Sequence, residues 1–309
     1  MTSKYDAIVI GMGPGAVFFA YEMIQKDKGK KILLVEQGKR VENRKCPIET
    51  IGKCVKCKPF CDITSGFSGA GAFSDGKLSL YNEEDDDFYV GGELHKYVGV
   101  EETKRLIDYT DNIYLEFGAD PKLKGTEHKK EVNEIKKKAK KEEITLIDIP
   151  IRHLGTEKAH ELYKKLENYL EDNNIDLMFE TEVKDLIIEE NEAKGIIVHN
   201  VKTNEEEKIY GKNIVIAVGR KGANWLVNMC NKHKIETEAG VVDIGVRYEL
   251  SDEVMKEINE YMYEETLSLT RTLISPSAMI PPTAPIRLMM AFALLRKGLT
   301  VMSGISDTA

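Results

Sequence analysis

The chain has 309 residues, enough for a sizeable core and, at typical domain lengths, for about two domains. Its 52 acidic residues outnumber its 44 basic ones, and the basic residues are scattered, so no basic field is available to hold a phosphate backbone. Nucleic acid is therefore not an expected partner. The first apolar run, Ala7 to Ile10, is too short for a signal peptide or a membrane span, so we expect a cytoplasmic protein without a membrane partner.

The first forty residues have the pattern of a βαβ unit. Tyr5 to Ile10 is an apolar run of strand length, Ala16 to Lys26 has apolar residues at helical spacing, and Lys31 to Glu36 is a second apolar strand. Between them, Gly11-Met-Gly-Pro-Gly-Ala16 matches the dinucleotide fingerprint with Ala in its last place. Strands, glycines and helix agree, which favours a nucleotide-binding turn over an unrelated glycine-rich turn.

Each position of the fingerprint has a physical role in holding a pyrophosphate. Gly11 permits a tight turn, Gly13 lets the backbone approach the phosphates, and Ala16 keeps the helix close to the strand. Glu36 ends the second strand where an acid accepts hydrogen bonds from a ribose, and its charge disfavours the 2′-phosphate of NADP. The predicted cofactor contacts here are Gly11, Gly13, Pro14, Gly15, Ala16 and Glu36.

The segment from Gln37 to Lys77 has little periodicity, and a loop of this length is typical of a functional segment. It favours FAD over NAD, because NAD domains usually continue at once with further βα units. Within Gly66 to Lys77, glycines beside serines and an aspartate let backbone amides approach a flat ring or an anionic phosphate; a flexible surface loop is the alternative. We predict cofactor contacts from Gly69, Ala70, Gly71, Ser74 and Asp75. Lys77 is a catalytic candidate because it could steady a reduced flavin's negative charge.

Four of the five cysteines, Cys46, Cys54, Cys57 and Cys61, lie in the same loop. In a reducing compartment such a cluster indicates metal or redox chemistry before disulfides. The spacing could ligate zinc or an iron–sulfur cluster, could support thiol exchange with a flavin, or could be structural. These three alternatives stay open.

The rest of the chain alternates helical and strand patterns. Helices are predicted near Glu102 to Phe117 and from Thr156 to Asp172, and the charged runs Asn82 to Asp87 and Lys122 to Glu143 are predicted to be solvated. Four short strand patterns then predict an antiparallel meander: Asp176 to Phe179, Glu182 to Glu189, Lys194 to Val201 and Glu207 to Tyr210. Lys212 to Ala217 predicts a strand that returns to the first sheet.

The loop motifs resemble a family of poorly characterised FAD-dependent dehydrogenases. The resemblance rests on Cys46-Pro47, Cys54-Val-Lys-Cys57, Cys61 and Gly66-Phe-Ser-Gly-Ala-Gly-Ala-Phe-Ser-Asp-Gly-Lys77, with Arg152-His-Leu-Gly-Thr156 and Asp243-Ile-Gly-Val-Arg247 as further motifs, and runs over roughly residues 5–250. It implies a flavin oxidoreductase related to glutathione-reductase-like and fumarate-reductase-like proteins. It also implies a second flavin contact at Ala217 and Gly219 and a backbone contact from Val183.

Arg152 and His153 are further catalytic candidates. They stand before a helix, where an arginine can bind a carboxylate and a histidine can pass a proton. A structural role is the alternative for the histidine.

These patterns together predict an α/β fold, a Rossmann-like FAD/NAD(P)-binding domain with an inserted α+β substrate lobe. The predicted division is residues 1–80 for the βαβ unit and the Cys/Gly-rich loop, 81–155 for the inserted lobe, 156–225 for the return of the FAD-binding domain, and 226–309 for a partial substrate domain.

The C-terminal region is atypical. No Asp or Glu occurs between Glu265 and Asp307, although about seven would be expected from the overall composition. A dry, substrate-facing segment is one interpretation. A shift of the coding frame near Leu267 to Leu273, leaving the flavin site incomplete, is another.

The predicted function is FAD-dependent transfer of a hydride or electrons to or from a small molecule or redox partner, with NAD(P)H as a candidate donor. The alternative is a non-catalytic nucleotide- or metal-binding protein that responds to redox state. Substrate and oligomeric state cannot be read from the sequence.

Overall fold

The computed structural model describes residues 4–73, 76–81, 94–142, 144–237, 244–245, 251–263, 266–269 and 288–291. The strands are β1 (Ala7–Ile10), β2 (Ile32–Val35), β3 (Lys77–Ser79), β4 (Leu123–Lys124), β5 (Ile144–Ile147), β6 (Ile151–His153), β7 (Ile175–Met178), β8 (Thr181–Glu189), β9 (Glu192–Asn200), β10 (Glu206–Tyr210), β11 (Ile214–Ile216), β12 (Ile244–Gly245), β13 (Thr266–Leu269) and β14 (Leu288–Ala291). The helices are α1 (Pro14–Lys26), α2 (Ile48–Ile51), α3 (Leu94–Val98), α4 (Val100–Glu116), α5 (Lys129–Lys141), α6 (Thr156–Asp172), α7 (Ala223–His233) and α8 (Asp252–Tyr261). Short 3₁₀ turns cover Val41–Asn43, Gly69–Phe73 and Arg220–Gly222.

The chain divides into two compact units. The first takes its residues from Met1–Lys77, Asn112–Asp120 and His153–Thr237, and the second from Leu78–Asp111, Pro121–Arg152 and Glu238–Ala309. Each unit is therefore built from separate stretches of the chain. The predicted role of the inserted segments as a substrate lobe stays a prediction.

A parallel sheet forms the centre of the first unit, with strand order β11-β1-β2-β7. Strands β1 and β2 are buried along their whole length, as expected for parallel strands covered on both faces. Each of their aliphatic side chains contributes roughly 1.5–3 kcal/mol on full burial, more than the net ~1 kcal/mol of one backbone hydrogen bond. The predicted α/β Rossmann-like class and the return of the chain at β11 are confirmed.

The antiparallel meander has three strands, in the order β10-β9-β8. Its inner face packs on the parallel sheet, where Val183, Ile196 and Val198 join Ile8 and Leu33 in one core cluster. The assignment of residues 176–179 to this meander is wrong, because β7 pairs parallel with β2. The helix α6 precedes β7 and brings the chain back to the end of the sheet where β2 begins, so that β7 can run parallel to β2.

The helices α1 and α6 bury one face each in the first unit. Five residues of α1 are buried, as are all four residues of the predicted apolar stripe of α6, Ala159, Leu162, Leu166 and Leu170, and the charged residues of α6 lie mainly on its other face. The ring of Tyr21 on α1 packs against the rings of Phe117 and Tyr169 at centroid distances of 6.3 and 5.6 Å. These contacts fix the direction of α1, and with it the position of its N-terminus.

The second unit contains two small sheets, in the orders β12-β14-β13-β5 and β3-β6-β4. The lysine-rich run predicted to be solvated forms the helix α5, whose lysines are mostly exposed. Its apolar residues Val132 and Ile135 are buried against Leu146 of β5. A charged surface and a helix are compatible here, because two apolar residues three positions apart share one face.

Several predictions lie outside the described residues. These are the cofactor contacts Ser74 and Asp75, the ends of the Asp243 to Arg247 motif, and most of the acid-free C-terminal stretch. In the part of the chain that is described, none of the helices has the length and apolar character needed to cross a membrane.

Candidate functional site

The turn between β1 and α1 is closed by backbone contacts that require glycine at its first position. The amide of Gly11 donates a 2.7 Å hydrogen bond to the carbonyl of Val35, and its φ of +96° is disfavoured for other residues. A β-carbon at Gly11 would lie 2.5 Å from the carbonyl oxygen of Ala217. The turn is therefore wedged between the ends of β2 and β11.

Among the described residues, the N-terminus of α1 faces open space at its glycines. Gly13 is the N-cap and provides no side-chain cap, and Pro14 follows at the first helical position. A β-carbon at Gly13 or Gly15 would meet no heavy atom of the described chain within 4 Å. The first amides of a helix lack intrahelical partners and carry its positive dipole end, so this opening is suited to an anion.

Glu36 is buried at the end of β2 and is held by three backbone amides. Its Oε2 accepts from Met12 at 3.0 Å, and its Oε1 accepts from Gly38 at 2.8 Å and Gly66 at 2.9 Å. A carboxylate has about four lone-pair positions, so three are used by the protein and one is left on Oε2. The predicted ribose acceptor thus also ties the glycine turn to the loop that follows β2.

The Gly-rich loop lies directly against the glycine turn. The amide of Ser68 donates a 2.7 Å hydrogen bond to the carbonyl of Met12, and a β-carbon at Gly69 would be 3.6 Å from the Cα of Gly13. The 3₁₀ turn that starts at Gly69 also contains the predicted contacts Ala70, which is exposed, and Gly71, which is half-buried. Of the described predicted contacts in this loop, Gly69 therefore lies close to the glycine turn, and Ala70 and Gly71 follow it in the same 3₁₀ turn.

Ser68 is buried, and its Oγ has no hydrogen-bond partner among the residues that the structure describes. An unsatisfied buried hydroxyl costs about 1–3 kcal/mol, so its retention beside the glycine turn is compatible with a role towards a ligand.

Two further predicted contacts lie at strand ends. The amide of Ala217 bonds to the carbonyl of Ile10, and a β-carbon at Gly219 would meet no heavy atom within 4 Å. Val183 on β8 is buried and sits at a register shift, because its pairing with Val198 is followed by an irregularity before Asp185. Such a bulge disrupts the ladder locally and can leave backbone groups unpaired.

Arg44 organises the loop, and sequence reasoning missed it. This side chain is 2% exposed and donates to the carbonyls of Asp62, Ile63 and Phe67 at 2.6–2.8 Å. Burial lowers the pKa of the Arg44 guanidinium to about 10, against the opposing charge of Glu36. Its partners are backbone carbonyls 18–23 residues away. Every residue carries such a carbonyl, so no sequence pattern predicts these contacts.

The start of the same loop is fixed on α6 by ion pairs. Arg40 bonds to Glu167 at 2.9 Å and makes a bidentate contact with Glu171 at 2.5 and 2.8 Å. The fully buried Glu167 also accepts from the amide of Val41 at 3.0 Å. Helical spacing could have indicated that Glu167 is buried, because it lies four residues after the buried Tyr163 and so on the same face of α6.

The three catalytic candidates have different environments. Arg152 is buried and makes a bidentate pair with Asp111, with distances of 2.5 and 2.6 Å, inside the second unit. His153 is half-buried at the end of β6, and Lys77 is exposed at the start of β3. None of these positions shows a catalytic role, so all three stay predictions.

The four loop cysteines are free thiols. Cys54 is exposed, the others are half-buried, and the amide of Lys56 donates to the sulfur of Cys54 at 3.5 Å. Over the described residues, which include all four, no group of three or more His, Cys, Asp or Glu side chains is placed to hold a metal ion. Zinc, an iron–sulfur cluster and thiol exchange each stay predictions.

The parallel sheet and the glycine turn that leads into α1 define a Rossmann-like α/β fold. Residues 90–253 match the family model described as "Pyridine nucleotide-disulphide oxidoreductase", which is more than half of the chain. The chain belongs to this family of oxidoreductases, which confirms the predicted relationship at family level. The glycine turn lies outside the matched residues, so its role is argued from its geometry.

Individual relatives are distant. A protein of Clostridium beijerinckii, described only as uncharacterized, is 22% identical over 258 residues, which are 84% of this chain. The chain spans only 38% of that relative's length.

The chain also resembles solved structures, with low sequence identity and low TM-scores. Thermovibrio ammonificans THI4 is 12% identical with a TM-score of 0.42, over 79% of this chain and 68% of that one. Glycine oxidase from Bacillus cereus is 16% identical with a TM-score of 0.41, over 74% and 58%. L-proline dehydrogenase from P. horikoshii is 17% identical with a TM-score of 0.43, over 78% and 59%. Similarity at this level tells us nothing about the activity of this chain.

Proposed function

We propose that the chain binds FAD at the glycine turn and acts as a flavin-dependent oxidoreductase. The observation that carries this proposal is the uncapped N-terminus of α1. At Gly13 and Gly15 it opens onto space that no described residue fills, beside the buried carboxylate of Glu36. A dinucleotide needs this combination, because its pyrophosphate is anionic and its ribose is a hydrogen-bond donor.

The residues around the opening fit the parts of FAD. The helix amides and the glycine backbone would hold the pyrophosphate, and the remaining lone pair on Oε2 of Glu36 would accept a ribose hydroxyl. Gly219 offers a second open approach, and the backbone of Val183 at the bulge would contact the adenine. The Gly-rich loop, including Ser74 and Asp75, would flank the flavin.

FAD is favoured over NAD by the connections of the sheet. After β2 the chain does not continue with a βα unit; a long loop and an inserted segment separate β2 from α6 and β7. The meander β8–β10 is then placed between β7 and β11. This order departs from the uninterrupted βα succession of NAD domains.

When bound, the flavin supplies hydride or electron transfer, and the chain's own residues orient it and exclude water. A pyridine nucleotide as electron donor fits the family. The substrate is a small molecule or a redox partner.

A visible spectrum of the purified protein tests the proposal. We expect oxidised flavin bands that NADH or NADPH bleaches, and release of FAD on denaturation. A broad iron–sulfur band without flavin, or a colourless protein that does not take up added FAD, would reject the proposal. Such a result would favour a nucleotide- or metal-binding protein that responds to redox state.

A further inference from the structure

The loop between Arg44 and Asp62 projects a basic and apolar surface from the first unit. Its apolar residues Ile48, Ile51 and Val55 are 41%, 54% and 46% exposed. Three aliphatic side chains exposed within eight residues form a local apolar patch of the kind that marks an interaction site. We call this surface the basic patch, together with the lysines that surround it: Lys45, Lys53, Lys56 and Lys58.

The charge of the basic patch is opposite to that of the whole protein. Residues 45–58 contain four lysines and one glutamate, a net charge of +3 in a chain of net charge −8. All four lysines are exposed, and within the described residues none of them forms an ion pair. Some exposed lysines elsewhere in this unit pair with acids, as in Lys184–Glu182 and Lys212–Asp6, whereas Lys28 and Lys208 also have no ion pair among the described residues. The four patch lysines differ from these by their clustering within residues 45–58, which concentrates positive charge where an external partner could meet it.

The base of the loop is rigid, which favours specific docking. The carboxylate of Asp62 accepts from the amide of Lys45 at 3.2 Å and from the Nζ of Lys39 at 2.8 Å, so the two ends of the loop are tied together. Arg44 connects this base to the carbonyl of Phe67 by a hydrogen bond. The next residue, Ser68, donates its amide to the carbonyl of Met12 in the glycine turn. The patch thus belongs to the segment that runs directly into the candidate cofactor site.

We propose that the basic patch docks an acidic electron-carrier protein, an inference that rests on the proposed flavin function for the kind of partner. Electron-transfer encounters use small interfaces and rely on complementary charge for rapid association, and a short segment that exposes both apolar side chains and several lysines has this composition. An anionic membrane is the less favourable partner, because the acidic remainder of the chain would be repelled and the patch has no aromatic anchor.

The test uses the full chain with two acidic carriers as probes, a [2Fe–2S] ferredoxin and a flavodoxin, and measures affinity by calorimetry at low and high salt. The patch variant K53E/K56E/K58E is compared with K28E/K140E/K208E, which changes three other exposed, unpaired lysines of the described chain by the same charge. We expect at least a tenfold loss of affinity at low salt for the patch variant, roughly the scale of steering by several charges, and little change for the control. The loss should shrink at high salt.

Two further measurements separate docking from bulk charge. The variant I51S/V55S should weaken carrier binding at both salt concentrations, because it removes apolar contact and not charge. Alkylation of the exposed Cys54 should slow when a carrier is bound.

Equal losses in the patch and control variants, no binding by either carrier, or binding to anionic phospholipid vesicles in place of the carriers would each overturn the docking proposal. Flavin content is read from the absorbance of the same samples. A flavin-free chain that binds carriers through the patch refutes only the proposed function, whereas a flavin-containing chain that binds neither refutes only the docking surface.

Discussion

Replacing Gly13 with alanine should separate cofactor binding from folding. The φ of Gly13 is −71° with ψ of 178°, a conformation that alanine adopts without strain, and the added β-carbon meets no protein atom within 4 Å. Gly13 is an N-cap without a side-chain bond, so the change should alter the free energy of unfolding by only about 0.5 kcal/mol. The new methyl group lies where the phosphates are expected.

The loss in affinity can be worked from the same geometry. A phosphate oxygen displaced by the methyl group loses a charge-assisted hydrogen bond to the helix N-terminus, which is worth about 1.5–3 kcal/mol. This corresponds to roughly a 10- to 150-fold weaker affinity for FAD. Quenching of flavin fluorescence on titration measures the affinity, and urea unfolding measures the stability.

The matched comparison is Gly11→Ala. Here the left-handed φ costs about 1–2 kcal/mol, and the 2.5 Å approach to the carbonyl of Ala217 forces the backbone to move, so we expect about 2–4 kcal/mol of destabilisation. Gly13→Ala should thus lose binding and keep stability, while Gly11→Ala should lose both. Normal FAD affinity in a stable Gly13→Ala protein would show that the pyrophosphate does not lie at this helix end.

Three further changes test the surroundings of the site. Glu36→Gln keeps one oxygen to accept from Gly38 and Gly66 but turns an NH2 group towards the amide of Met12, so it should cost about 1–3 kcal/mol in urea unfolding as well as weakening FAD binding; an unchanged urea midpoint would contradict the contacts described. Arg44→Met leaves three buried carbonyls without their donor and should destabilise the chain by about 2–4 kcal/mol, and Arg44→Lys should not restore it, because an ammonium lacks the planar fork that reaches all three. The hydrogen bond from Arg40 lowers the pKa of Glu171, so the stability from this pair is present above the ordinary glutamate pKa of about 4.3 and is lost as the pH falls through the lowered folded-state value. Glu171→Gln should therefore lower the urea midpoint at pH 7 and have a progressively smaller effect as the pH falls below the ordinary glutamate pKa, and an effect that does not change with pH would exclude the ion pair as the cause.

Local patterns were sufficient for the parts of the fold that depend on neighbours in sequence. The strands β1 and β2, the helices α1 and α6, and the return strand β11 follow from continuous apolar runs and from helical spacing. The glycine turn was readable because strand, glycines and helix are adjacent in the chain. Periodicity could not assign β7, because a short apolar run does not tell which strand it will pair with.

The amino-acid sequence by itself determined the α/β class, the position of the glycine turn and the acid at the end of β2, since each depends on residues only a few positions apart. Only the tertiary structure decided how Glu36 divides its lone pairs among Met12, Gly38 and Gly66, and that Arg44 holds the loop through backbone carbonyls. The physical reason is that a buried charge takes its partners from whatever polar groups the packed chain brings within about 3 Å, and backbone groups carry no residue-specific signal.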